Sequence, residues 1–211
     1  MRKRFYLLSI TMIVLWAAKA GAQQKTDLEK LPYHTGAESI LKVAGAYATE
    51  RSDWFFLPGM KTENMGIFRF GPVEFSNGGA KGPKDIPVNR VTFVFDDGAH
   101  GRLVGLELHI EKEVEAKKLR SYIWSNYGQP LSFERPAPKD RDRDKVNGYA
   151  PFMFKRQGSN QTMIVVDNFP GHGERKGYTI DVFIMDNDVK APGNGNNETA
   201  LDALKKNLKR F

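Results

Sequence analysis

The chain has 211 residues, 32 Lys and Arg against 25 Asp and Glu, a formal net charge of +7, and no cysteine. That length is enough for one domain with a sizeable core. The missing thiols exclude disulfides, thiolate-bound zinc, a cysteine nucleophile and a lipidated N-terminal cysteine. Four basic residues and no acid fall in the first 22, so the remainder holds 28 basic against 25 acidic residues, or +3, which gives no support for nucleic-acid binding.

Met1–Ala22 has the three parts of a secretory signal: Arg2-Lys3-Arg4, an apolar core over 5–18, and Ala20-Gly21-Ala22 as the cleavage site. The apolar run of about 14 residues is short of the roughly 20 that a spanning helix needs. Cleavage near Ala22 is expected, giving an exported protein, periplasmic or extracellular, without stable membrane insertion. Residues 23–187 are expected to form one domain, and 188–211 a linker with a short helix.

Thr35-Gly36-Ala37-Glu38 fits a capping box, and Ala37, Ile40, Leu41, Ala44 and Tyr47 follow at helical spacing, which predicts a helix over 36–50. The segment 52–60, SDWFFLPGM, is the densest aromatic cluster. Its Trp54 could stack on a sugar or another flat ligand, although burial where helix meets sheet is the favoured reading. Short strands are predicted over 66–70 and 72–76. The loop 78–87 lacks phosphate-loop spacing.

The most regular pattern lies between Val91 and Pro130. Val91, Phe93 and Phe95 share one strand face, Asp96-Asp97-Gly98 has turn chemistry, and Val104, Leu106, Leu108 and Ile110 alternate along a second strand. The period then changes to helical, with Ala116, Leu119, Ile123 and Tyr127 on one stripe of a helix over 112–127. Gly128 and Pro130 end it. Beyond it, Asp140, Asp142 and Asp144 have the spacing that opens a calcium loop. Lys145 stands where such a loop needs Gly and Pro151 where it needs Glu, so no metal is assigned. Strands are predicted over 150–156, 162–169 and 177–186. In the last, Tyr178, Ile180, Val182 and Ile184 alternate with Thr179, Asp181, Phe183 and Met185. Leu201, Leu204, Leu208 and Phe211 mark an amphipathic C-terminal helix. These elements predict an α+β fold, a mainly antiparallel sheet of about six to seven strands with helices packed on one face as a two-layer sandwich.

No His-Glu-x-x-His, Gly-x-Ser-x-Gly or dinucleotide fingerprint occurs, and no catalytic residue, cofactor or metal is assigned. Of the four histidines, His109 stands apart. It shares a strand face with Glu107 and Glu111, opposite the apolar row, and Asp181 sits similarly in the last long strand. On an open sheet face these groups could bind a cation or do acid–base work, whereas an ordinary solvated face is the plainer explanation. Glu107, His109, Asp181 and Trp54 are the candidate ligand-binding residues. The expected function is a non-enzymatic binding or interaction domain of the cell envelope, with an unidentified protein, small-molecule or glycan ligand. The alternative is a small secreted hydrolase or metal-assisted enzyme using the same carboxylates and His109.

Overall fold

A computed structural model describes residues 24–49, 51–77, 89–96, 101–131, 149–156, 158–168, 177–192 and 198–208. The proposed signal 1–22, the loop 78–87, the 140–144 acids, His100 and His172 lie outside them. Ten strands form among the described residues: β1 (Thr26–Asp27), β2 (Tyr47–Thr49), β3 (Gly59–Thr62), β4 (Phe68–Phe70), β5 (Val73–Glu74), β6 (Arg90–Phe95), β7 (Leu103–Ile110), β8 (Tyr149–Lys155), β9 (Gln161–Asn168) and β10 (Thr179–Asp186). The α-helices are α1 (Glu38–Ala44), α2 (Glu113–Asn126) and α3 (Ala200–Leu208). A seven-stranded antiparallel sheet runs in the order β2-β3-β6-β7-β10-β9-β8, beside a small sheet ordered β1-β4-β5. The fold is α+β, as the alternating patterns predict.

The sheet buries both faces, and the reason is visible along its inner strands. Val91, Phe93, Phe95, Leu106, Leu108, Ile110, Ile180, Val182 and Ile184 point to one side, where they pack with Ala116, Leu119 and Ile123 of α2 and with Leu41 and Ala44 of α1. The intervening Val94, Ile164, Val166, Phe183 and Met185 point the other way and meet Phe55, Leu57 and Leu201, Leu204 and Leu208 of α3. Strands that carry apolar residues on both faces need cover on both sides. Helices α1 and α2 lie on the predicted face, and α3 closes the opposite one.

Four details differ from the sequence reading. Val104 belongs to the second core, not to the row of Leu106–Ile110. The register shifts between Val94 and Phe95, pairing Val94 with Gly105 and Phe95 with Leu103, so Val104 is the extra residue of a bulge. An extra residue reverses the side-chain parity on one side of it, and Leu103 takes the place predicted for Val104. The first helix is also shorter than predicted. Gly45 adopts φ +61° after Ala44 and its N–H closes on the Leu41 and Lys42 carbonyls, so Tyr47 leaves the helix for an edge strand. The capping box does not form, because Ala37 holds the cap position and the Thr35 hydroxyl donates to the Pro32 carbonyl instead. Finally, a strand not predicted from the sequence, β3, starts inside the aromatic segment at Gly59 and Met60 and runs on to Thr62.

Leu106 and Leu204 are both 0 % exposed, one in each core. Leu106→Asp and Leu204→Asp should each lower the unfolding free energy by about 4 kcal/mol or more, because each buries an unpaired carboxylate. Urea titration checks this, and a wild-type midpoint for either variant would show that its face is not closed.

Candidate functional site

Antiparallel register places Arg90, His109 and Asp181 side by side on β6, β7 and β10. The imidazole of His109 bridges two carboxylates. Its Nδ1 bonds to Oδ1 of Asp181, and its Nε2 lies 2.6 Å from Oε1 of Glu111. Asn168, from β9, donates to the other Asp181 oxygen at 2.7 Å, so three strands and the end of β7 build one polar row. Burial alone would lower the His109 pKa. The hydrogen bonds to Asp181 and Glu111 and the Asp181 charge outweigh burial and the opposing Arg90, and raise it to about 9. His109 is therefore an imidazolium at neutral pH, donating from both nitrogens, and neither nitrogen is left to accept a proton.

Glu107 does not lie on an open face. It is 6 % exposed and turns toward the 52–55 segment. One carboxylate oxygen accepts from the backbone N–H of Trp54 (2.9 Å) and Phe55 (3.3 Å), the other from Asp53 N–H (3.3 Å). Burial pushes the Glu107 pKa up, and these amides with the Ser52 hydroxyl offset part of that cost. Its observed role is to clasp a loop. Trp54 is half-buried with its ring edge-on to Phe183 at 5.3 Å, the packing favoured for the aromatic cluster. The four candidate residues therefore fall into two groups. His109 and Asp181 share a hydrogen-bonded row, while Glu107, on β7, clasps the loop that carries Trp54 and roofs the second core.

Three further polar clusters were not read from the sequence. Asn89, 0 % exposed, accepts from the N–H groups of Glu111 (2.9 Å) and Lys112 (3.2 Å) ahead of α2 and donates to Glu115 at 2.7 Å. The hydroxyl of Ser76 donates to the same Glu115 and accepts from the Lys112 ammonium at 2.6 Å. This serine resembles an activated nucleophile in its neighbours. Yet Glu115 also takes the Ser76 and Asn89 N–H groups, the pattern of a clasp at a helix start. On the first face, Asp167 accepts from Arg120 (2.8 Å) and from the Tyr178 hydroxyl (2.5 Å), tying α2 to β9. Glu29 receives the hydroxyls of Tyr122 and Tyr127. The hydrogen bonds of these clusters join residues from 11 positions apart, Tyr178 to Asp167, to 98 apart, Tyr127 to Glu29, so no local spacing announces them. Among the described residues no group of three or more His, Asp and Glu is arranged to hold a metal ion. No described helix is long and apolar enough to cross a membrane.

The His109 clamp has a pH signature. Its folded pKa of about 9 lies above the roughly 6.5 of an unfolded histidine, so its stabilisation is complete below about pH 6.5 and is lost as pH rises through about 9. The gap corresponds to a contribution on the order of 3 kcal/mol. The melting temperature should fall over this window in the wild type and stay flatter in His109→Gln, and an NMR titration of His109 should place its midpoint well above 7. A midpoint near the unfolded value would mean that the two carboxylates do not hold the ring. No protein-family model, curated protein or solved structure matches the chain.

Proposed function

We propose that the chain is an exported, non-enzymatic binding or interaction domain of the cell envelope. One observation carries the non-enzymatic part: both ring nitrogens of His109 are taken by carboxylates and its pKa is raised. A general base needs a free lone pair and a pKa near the working pH, and a doubly clamped imidazolium has neither. Export rests on the composition of Met1–Ala22 alone. The ligand class is a protein, a glycan or a small molecule of the envelope.

The hydrolase alternative keeps one argument, the Asp181–His109 hydrogen bond, which is the carboxylate–imidazole pairing of many acid–base sites. Glu111 weighs against it, because it occupies the nitrogen that would face a substrate in such a pair.

Two measurements test the reading. Expressed with a C-terminal tag, the chain should appear outside the cytoplasm with a mass lacking Met1–Ala22. Thermal shift against divalent metals, envelope glycans and peptides should find a ligand that raises the melting temperature by mass action, about 2.7 kcal/mol at a hundredfold excess over Kd. Ester or glycoside hydrolysis by the wild type that disappears in His109→Ala would overturn the non-enzymatic reading.

A further inference from the structure

The loop from Ser52 to Leu57 alternates buried and exposed aromatic residues in a way that core packing does not require. Phe55 and Leu57 are buried in the second core at 0 % and 5 % exposure, while Phe56 between them is 42 % exposed. Phe56 also has φ +60°. That left-handed conformation is unfavourable for a bulky side chain and persists only where surrounding contacts impose it. Here they do. Ser52 N–H donates to the Leu57 carbonyl at 2.6 Å, the Ser52 hydroxyl receives Phe55 N–H, and the buried Glu107 carboxylate grips the amides of Asp53, Trp54 and Phe55. A buried carboxylate and a left-handed backbone together shape a loop on which Phe56 faces outward between the buried Phe55 and Leu57.

What it faces is a groove of about 360 Å³ between this loop and α3, lined by Arg51, Phe56, Pro192, Ala203 and Lys206 among others. Glu198 also lines it, but Lys206 lies 2.7 Å from that carboxylate and neutralises it. Arg51 is exposed and has no ion-pair partner among the described residues. Among its described lining residues the groove sets Phe56, Pro192 and Ala203 beside two cations, Arg51 and Lys206, and one carboxylate, Glu198. From this geometry we infer that the groove is a docking site for a polypeptide segment carrying a large apolar side chain beside a carboxylate. The apolar side chain packs on Phe56, Pro192 and Ala203, and the carboxylate pairs with Arg51. An aromatic presented by a clasped loop in a preformed groove needs little backbone ordering on binding, which suits an anchor residue. The inference rests on the binding reading above and names its site and the chemistry of its partner.

The test uses the full processed chain, immobilised, and a phage-displayed library of random twelve-residue peptides. Enriched peptides should pair Leu, Phe or Trp with a neighbouring Asp or Glu. In fluorescence anisotropy their binding should weaken about tenfold or more in Phe56→Gly and in Arg51→Glu, and should also weaken with added salt. Phe56→Gly relieves the positive φ, so its melting temperature should be unchanged or higher, separating lost binding from lost fold. Enriched peptides without this pattern, or with affinity untouched by both substitutions, would overturn the site. So would no enrichment at all. A concentration-dependent dimer that dissociates in Phe56→Gly would assign the groove to a second copy and overturn the peptide partner. A glycan or metal that shifts the melting temperature equally in wild type and Phe56→Gly would sink the groove and leave the general binding reading standing.

Discussion

Burial of both faces of the inner strands is the constraint on which the remaining structure depends. Strand β9 is buried at every position, and β6, β7 and β10 nearly so. Each face therefore needs its own roof. Helices α1 and α2 supply the first. The second is assembled from two distant pieces, the loop around Phe55 and the C-terminal helix, whose leucines complete the core over Phe183 and Met185. That shared roof explains why a segment rich in aromatic residues and a tail with Leu201, Leu204 and Leu208 at helical spacing occur in one chain.

The buried charges follow the same logic. Glu107 projects into the second face, where a lone carboxylate would be costly, and three backbone N–H groups of the roofing loop satisfy it. On the first face Asp167 takes Arg120 and Tyr178, which tie the helix and the start of β10 to β9. At the end of the second face His109 sits between Asp181 and Glu111. Each charge is placed where two elements must be held in register, so the networks add specificity of arrangement to a core that is otherwise only apolar.

This division also separates structure from binding. The groups that carry acid–base potential are spent on each other, whereas Phe56 and Arg51 face solvent beside the second roof. A surface that presents an exposed aromatic beside an exposed cation is the part of the molecule least explained by its own stability.

Periodicity alone determined much of the fold. The two-residue alternation of Val91–Phe95 and Tyr178–Ile184 and the helical stripe Ala116–Leu119–Ile123 identify their elements and inward faces, because those patterns are local consequences of backbone geometry. Composition determined the absence of disulfides and of thiol chemistry. Tertiary structure decided the rest. A bulge at Val104 reversed the parity of Leu103 and Val104, since register depends on the partner strand. Whether the face bearing Glu107 was open depended on where residues 52–57 and 200–208, far apart in the sequence, came to lie. Asp181 was singled out from the pattern, but its hydrogen bond to His109 spans 72 residues, and Phe56 looked like any member of an aromatic cluster until the clasp by Glu107 turned it outward. Local spacing records which way a side chain points from its own strand; what it meets there is set by the other elements that pack against it.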